Sequence, residues 1–197
     1  MKKKHIIVLT IVLSLVAGWV WRYVTMNAYF DSLVNTEKQK YQLGDIVPFE
    51  NDLGDMRVNL NGYSIRADSF EVQDFDDYID SIGFVMDEHY YPGDKIALLH
   101  ITLFNEDSEA EGIMLTEFNL SGVDTTIYLD WDLLIAANPV LEGNCGIKLS
   151  PGTECSIILP YKMQEEFFGA WTWNHFEDYE LFFRITAYPT EKIIRVQ

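Results

Sequence analysis

The stretch Lys95 to Asn105, KIALLHITLFN, predicts the central strand of the fold. It follows a turn signal, Tyr91-Pro92-Gly93-Asp94, and contains no Gly or Pro. Its alternate residues are apolar and are expected to share one buried face: Ala97, Leu99, Ile101 and Leu103. The rest of the fold is therefore expected to be built from strands that pack around this one.

Shorter strands are predicted on both sides of this stretch. They are Val47–Phe49, Tyr63–Val72, Gly112–Leu120, Thr125–Leu129, Gly146–Leu149, Glu154–Lys162, Glu180–Tyr188 and Lys192–Val196. Pro48 favours an edge position for the first strand, and a shift of phase between Ala67 and Phe70 predicts a bulge in the second. Many short strands with little helix favour a mainly β fold, an immunoglobulin-like antiparallel β-sandwich, although the Cys, Trp and Cys spacing of antibody domains is absent.

One or two short helices are predicted within this β fold. Asp74 can cap a helix that runs to Gly83, because apolar residues between them recur at helical spacing. Asp130 can cap a second helix, Trp131–Ala137, which must end before Asn138-Pro139. The second helix is expected to turn Trp131, Leu134 and Ile135 toward the core.

The N-terminal run Ile6 to Trp21 is almost entirely apolar and follows Lys2, Lys3 and Lys4. Its apolar character continues to Met26, which predicts an uncleaved membrane anchor over residues 1–27. The alternative is a signal peptide cleaved after Gly18. Three lysines before the run and Arg22 after it predict a cytoplasmic N-terminus and an extracellular C-terminal domain. Residues 28–42 are expected to form a polar juxtamembrane stalk, and residues 43–197 the ectodomain.

The charge distribution is strongly acidic beyond the apolar run. The chain has 14 Lys and Arg against 31 Asp and Glu, and four of the basic residues lie at or before Arg22. Nucleic-acid binding requires a basic surface, so the composition argues against a nucleic-acid partner.

Cys145 and Cys155, the two cysteines of the chain, form a candidate disulfide on the predicted extracellular side. A hairpin about the turn Ser150-Pro151-Gly152-Thr153 would place the two residues out of register, so both the bridged and the free state remain open. No histidine lies at zinc-ligand spacing from them, and no metal or other cofactor is expected.

The segment Gln164 to Phe176 departs from strand alternation and is rich in aromatic residues. It either covers one end of the β fold as a lid, which is the favoured interpretation, or presents an exposed patch to a partner. The candidate partner-binding residues are Phe167, Phe168, Trp171 and Trp173.

Several short motifs resemble one known family. They are Tyr41-Gln42-Leu43-Gly44-Asp45, Asn61-Gly62-Tyr63-Ser64-Ile65, Asn138-Pro139 with Leu141, Gly143 and Asn144, Leu149 with Pro151, Thr153 and Glu154, Leu159-Pro160, and Tyr188-Pro189-Thr190 with Lys192. The resemblance is to signal-anchored extracellular proteins of Gram-positive bacteria, defined as a domain of unknown function with an immunoglobulin-like ectodomain. It implies an architecture and a location, and it implies no catalytic residue.

The sequence contains no nucleophile elbow, zinc-binding helix or phosphate loop. Carboxylate pairs such as Asp130 with Asp132, or Glu165 with Glu166, are expected by chance in so acidic a chain, so a cell-wall-acting enzyme is the least favoured class. We expect a non-catalytic, membrane-anchored interaction module that contacts an envelope or extracellular protein. The alternative is an immunity-type protein that neutralises a secreted, basic toxin outside the membrane.

Overall fold

The computed structural model describes residues 3–34, 37–52, 59–110, 112–123 and 125–197. Within these ranges the α-helices are α1 (Lys3–Val34), α2 (Phe75–Ile82), α3 (Trp131–Ala137) and α4 (Ala170–Asn174). The strands are β1 (Glu37–Gln42), β2 (Ile46–Pro48), β3 (Tyr63–Asp74), β4 (Lys95–Asn105), β5 (Ile113–Met114), β6 (Asn119–Ser121), β7 (Thr126–Tyr128), β8 (Gly146–Ile147), β9 (Thr153–Met163), β10 (Phe182–Arg184) and β11 (Thr190–Arg195). Short 3-10 helices cover Leu115–Glu117, Pro139–Leu141, Glu165–Phe167 and Phe176–Asp178. The prediction of a mainly β fold preceded by an apolar helix is confirmed.

The described strands form three sheets. The larger two have the strand orders β1-β11-β10-β6-β7 and β2-β3-β4-β9, and β5 pairs with β8 in a third. Every pairing in the β2-β3-β4-β9 sheet is antiparallel. The predicted edge position of Pro48 is confirmed, because β2 ends this sheet.

Strand β4 is the centre of its sheet, as its sequence predicts. It pairs along its whole length with β3 on one side and β9 on the other. The register with β3 shifts between Ala67 and Ser69, which confirms the predicted bulge.

Both faces of β4 are buried, and each face contributes to a different cluster. Leu99 and Ile101 belong to the main core, which also contains Leu120, Phe183 and Ile194 of the β1-β11-β10-β6-β7 sheet. The two larger sheets therefore share one core. On the other face a second cluster joins β4 to α2 and α3: Phe75, Tyr78, Ile79, Ile96, Leu98 and Leu133.

Helix α2 covers the outer face of β4 and has the predicted ends. The Asp74 carboxylate accepts hydrogen bonds from the backbone N–H groups of Asp76 (2.9 Å) and Asp77 (3.2 Å). Gly83 ends the helix with φ of 65°, a left-handed conformation that glycine adopts without steric cost.

Helix α3 has the predicted bounds and cap, but a different buried face. The Asp130 carboxylate accepts from Leu133 N at 3.1 Å. Leu133 and Leu134 are buried, whereas Trp131 is exposed and Ile135 is half-buried. The prediction that Trp131 faces the core is therefore wrong, because the helix packs on the outer face of β4 through Leu133.

The outer edge of β9 is covered by side-chain and backbone groups from the α3 region. The Asn138 side chain accepts from Ile158 N (2.8 Å) and donates to Ile158 O (2.7 Å), as a neighbouring strand would. It also donates to Leu134 O at 2.8 Å. This amide therefore satisfies edge groups that would otherwise be open to pairing with another chain.

The predicted boundary between anchor, stalk and ectodomain is corrected. Helix α1 extends to Val34, and Glu37–Gln42 is a strand of the larger sheet, so residues 28–42 are not a stalk. The chain divides into two compact units, 1–37 and 38–197, and the β domain therefore begins before residue 43. Met1 and Lys2 of the predicted anchor, residues 35–36 of the predicted stalk, and residues 53–58, 111 and 124 of the predicted ectodomain lie outside the described residues.

A buried ion pair connects the two ends of the β domain. Lys192 in β11 is fully buried, and its Nζ donates to Asp52 Oδ2 and Glu50 Oε2, each at 2.7 Å. Nζ also donates to Pro48 O at 2.7 Å. Asp52 in turn accepts from Thr190 N at 3.1 Å. These contacts therefore hold the segment after β2 against β11.

Candidate functional site

The aromatic segment from Gln164 to Phe176 leaves the end of β9 and forms no strand. Two 3-10 turns, Glu165–Phe167 and Phe176–Asp178, flank the short helix α4. The hydrogen bond from Trp173 N to Gly169 O, at 3.0 Å, closes the helical turn. These tight turns direct successive aromatic side chains to opposite sides of the segment.

Three aromatic side chains point inward. Phe168 is 8% exposed and packs into the main core together with Phe176. The Phe168 ring lies 5.5 Å from that of Trp173 and 5.7 Å from that of Phe176. Half-buried Trp173 also packs against the core, and Lys95 Nζ lies 4.8 Å from its ring centroid. This half of the segment covers the core as the favoured lid interpretation expects.

Two aromatic side chains point outward. Phe167 is 67% exposed and Trp171 is 71% exposed. The Trp171 ring stacks on His175, with 4.8 Å between ring centroids and an interplanar angle of 18°. His175 Nδ1 lies 2.9 Å from Trp171 O, which fixes the stacked pair to the α4 turn. Of the four candidate partner-binding residues, Phe167 and Trp171 are thus accessible, Trp173 is half-buried and Phe168 is in the core.

Phe167 also borders a groove of about 380 Å³, which we call the β7 groove. One wall is Thr125–Tyr128, and the other is Lys162–Gln164 with Phe167 and Phe168. Tyr128 is 71% exposed. The groove therefore combines a strand edge with two accessible aromatic rings.

The backbone of β7 has one paired and one open edge. Strand β7 ends its sheet, and its partner among the described residues is β6. Gly122 N donates to Thr125 O at 2.9 Å, so the backbone groups of Thr125 and Ile127 face β6. Since backbone groups alternate in direction along a strand, those of Thr126 and Tyr128 face the groove.

The two walls meet at one end of the groove. Asp130 N, which has the same phase as Thr126 and Tyr128, donates to Pro160 O at 3.0 Å. Beside this bond, Thr125–Tyr128 and Lys162–Gln164 line the groove. The β7 groove is thus a gap between two strand edges joined at one point.

Lys162, the one cation among the described residues that line the groove, is already paired. Lys162 Nζ lies 3.0 Å from Asp130 Oδ2, donates to Tyr91 O at 2.8 Å and lies 4.3 Å from the Tyr90 ring centroid. The Tyr90 hydroxyl donates to Asp130 Oδ2 at 2.8 Å. Burial, then the hydrogen bond to Asp130, raise the pKa of Tyr90 above its ordinary value. This cluster is a compact structural network at the closed end of the groove.

The cysteines lie elsewhere in the domain. Cys145 is buried and Cys155, in β9, is half-buried, and the structure carries both as free thiols. Burial raises the pKa of the Cys155 thiol, which keeps it protonated at neutral pH. Cys145 borders an apolar cavity of about 690 Å³ beside β5 and β8. The bridge between the two residues stays a prediction.

The described residues contain no group of three or more His, Cys, Asp or Glu side chains placed to hold a metal ion. A further cavity of about 470 Å³ lies between β3 and Trp173, with Lys95 and Glu71 in its lining.

Sequence reasoning found the aromatic segment but missed the opposite wall of the groove. Thr126 and Tyr128 carry no motif, and their importance arises from the position of β7 at the end of a sheet. The signals in the sequence that indicate this wall are the turn before β7 and the polar and aromatic residues on either side of Ile127.

A family profile described as a domain of unknown function, DUF5028, matches residues 38–192. No curated protein is significantly similar to the chain. No solved structure is significantly similar to it either. The profile spans the domain from β1 to the buried Lys192.

Proposed function

The chain belongs to the DUF5028 family, and on that premise we propose that it is a non-catalytic interaction module held at the outer face of the cell membrane. The β domain, an immunoglobulin-like sandwich in this proposal, contacts an envelope or extracellular protein of a Gram-positive bacterium. Helix α1 acts as an uncleaved signal anchor with its N-terminus in the cytoplasm.

The observation that carries the proposal is the outward pair Phe167 and Trp171. Large aromatic side chains at high exposure are enriched at protein interfaces, where their burial contributes much of the binding free energy. The segment that carries both residues is anchored to the domain, since its side chains Phe168 and Phe176 are in the core. A rigid segment of this kind binds with a small loss of conformational entropy.

The anchor is supported by the composition of α1. Among the described residues, one helix is long and apolar enough to cross a membrane, over Leu9–Asn27 with a mean hydropathy of 1.5. Trp19 and Tyr23 stack with ring centroids 5.5 Å apart, which suits an aromatic belt at a membrane interface. The lysines before the span favour a cytoplasmic N-terminus.

Site-specific photo-crosslinking in living cells tests the proposed contact. The full chain would carry p-benzoylphenylalanine at Trp171, at Phe167 or, as a matched control, at exposed Val85. We expect one protein to be cross-linked from Trp171 and Phe167 and not from Val85. Equal yields from all three positions, or no cross-link from any, would contradict the proposal.

Protease treatment of intact cells tests the location. A C-terminal epitope should be lost on digestion of intact cells while a cytoplasmic control protein is retained. Protection of the epitope until the cells are lysed would place the β domain inside and exclude an extracellular partner.

A further inference from the structure

The β7 groove has the features of a site for an added strand. We propose that it binds an extended segment of a partner polypeptide, which pairs with the open edge of β7. The inference rests on the proposed function. It adds to the two exposed aromatic rings a strand edge, which defines the direction of the hydrogen bonds to the partner. Binding by strand addition derives affinity from main-chain hydrogen bonds and specificity from pockets for alternate side chains.

The first support is the open backbone edge of β7. Thr126 and Tyr128 direct their N–H and C=O groups into the groove, and within the described chain no strand pairs with that side of β7. An open edge is a template for another chain, and proteins commonly cover it. This chain does so on β9, where Asn138 binds both backbone groups of Ile158. The contrast leaves β7 as an accessible edge beside the aromatic segment.

The second support is the hydrogen bond that already joins the two walls of the groove. Asp130 N donates to Pro160 O at 3.0 Å, as a neighbouring strand would. Residues 125–128 and 162–164 line about 380 Å³ of space beside this bond. A strand bound in this space would continue the pairing that the bond begins.

The third support is the pair of rings at the groove. Tyr128 and Phe167 both line it and are both largely exposed. Alternate side chains of an added strand point to opposite faces. One apolar side chain of the segment can therefore pack between these rings while its neighbours remain in solvent.

Charge selects the composition of the segment. Glu165 and Glu166 are exposed beside the groove residue Gln164, whereas Lys162 is already paired with Asp130. The chain as a whole carries 31 Asp and Glu against 14 Lys and Arg. The segment that fits is an extended, apolar stretch with Lys or Arg beside it, and the acidic domain would speed its association.

The test uses the full chain in phospholipid nanodiscs and, as the probe, a phage-displayed library of random dodecapeptides. Phage that bind empty nanodiscs are removed first. We expect enriched peptides to alternate apolar residues and to carry Lys or Arg. Failure to enrich any peptide over empty nanodiscs would overturn the proposal.

A selected peptide is then tested for main-chain pairing. Thr126→Pro removes an N–H that faces the groove and donates nothing to β6, so β7 itself should be kept. We expect it to raise the dissociation constant of the peptide about ten-fold, because a change of that size corresponds to the free energy of one hydrogen bond. The comparison variant, Thr126→Val, keeps the N–H and the branched shape, so it should weaken binding less than Thr126→Pro does. Circular dichroism of both variants checks that the fold is unchanged.

Two partly N-methylated versions of the same peptide provide a test that does not alter the protein. One is methylated at even positions and the other at odd positions. If the peptide adds as a strand, methylation should weaken the binding of one version at least as much as Thr126→Pro weakens the binding of the unmethylated peptide. The other version should bind like the unmethylated peptide. Equal binding of both versions, or equal binding to Thr126→Pro and wild type, would overturn the proposal.

The outcomes separate this inference from the proposed function. The cellular cross-link from Trp171 can be repeated in the Thr126→Pro background. An unchanged yield would overturn strand addition, whereas the proposed interaction module would still be supported. If the chain self-associates and Thr126→Pro abolishes this self-association, the groove binds a second copy of the chain. That result would overturn the proposal of a different partner polypeptide.

Discussion

Lys192 Nζ lies 2.7 Å from Asp52 Oδ2, although the two residues are far apart in sequence and both side chains are almost completely removed from solvent. The ammonium group has three protons, and three oxygens lie at 2.7 Å: one each from Pro48, Glu50 and Asp52. Burial alone would lower the pKa of Lys192, but the hydrogen bonds to Asp52 and Glu50 raise it above its ordinary value.

Lys192→Met should destabilise the β domain by about 3–5 kcal/mol, because it leaves the Asp52 carboxylate buried without a cation. Urea unfolding of the full chain in detergent micelles, followed by tryptophan fluorescence, measures the loss. Lys148→Met removes an exposed lysine and is the matched control. A loss as small as that of the control would show that the pair contributes little.

The domain should lose stability at alkaline pH. The pKa of buried Tyr161 is raised well above its ordinary value of 10.0 by burial, and that of Lys192 is raised from 10.5. For both groups the folded pKa exceeds the unfolded one. The contribution of each group to the free energy of unfolding is therefore complete below about pH 10. It is lost as the pH rises through the pKa of the folded state, by up to about 1.4 kcal/mol per pH unit for each group.

Urea midpoints measured between pH 7 and pH 12 test this dependence. Tyr161→Phe should show a shallower decline than the wild type, because the phenol that resists ionisation is gone. Tyr188→Phe, at an exposed position, should follow the wild-type curve. Parallel curves for all three proteins would refute the role of Tyr161.

Two adjacent residues of the aromatic segment should differ in their effect on stability. Phe168→Ala removes a ring from the core and should cost about 3–5 kcal/mol. Phe167→Ala removes an exposed ring and should change stability by no more than about 0.5 kcal/mol. Thermal unfolding of both variants gives the comparison, and equal losses would mean that the segment is not divided into an inner and an outer side.

Asn138→Ala should both destabilise the domain and open the β9 edge. It leaves the partly buried backbone N–H and C=O of Ile158 without their side-chain partner, which should cost about 1–3 kcal/mol. The exposed edge should also promote self-association, which light scattering at increasing protein concentration would detect. Asn144→Ala, at an exposed position, controls for the loss of an amide.

The local signals in the sequence predicted several elements to within a residue or two. Strand β4 and helix α3 have the predicted bounds, and α2 has its predicted caps, because alternation, helical spacing and capping side chains are encoded within each segment. The buried face of α3 could not be obtained in this way. It depends on which surface of β4 the helix meets, and that surface belongs to another part of the chain.

Strand β1 shows where local patterns fail. Glu37–Gln42 reads as a polar linker, since Lys38 and Lys40 alternate with polar residues and supply no apolar face. The segment is a strand because it is an edge of its sheet, where backbone pairing with β11 and an ion pair between Lys38 and Glu191 (2.7 Å) add to the packing of one half-buried side chain, Tyr41, against the main core. The predicted strand Gly112–Leu120 is similarly divided by a 3-10 turn at Leu115–Glu117.

The site was predicted in part for the same reason. An unusual density of aromatic residues is visible in the sequence, and it led to Phe167 and Trp171. Which rings face outward, and which strand edge lies opposite them, follows from the order of strands in the sheet. The β7 groove exists only when Thr126 and Lys162 have been brought to neighbouring edges.

The position of β11 has a consequence for biosynthesis. Strand β11 lies between β1, the first of the described strands, and β10. Because synthesis proceeds from the N-terminus, β1 emerges long before its neighbour and cannot pair with it until residues 190–195 have been made. A stop codon at position 190 would therefore remove an interior strand of this sheet together with the cation at position 192, and we expect the truncated product to be a substrate for quality-control proteases.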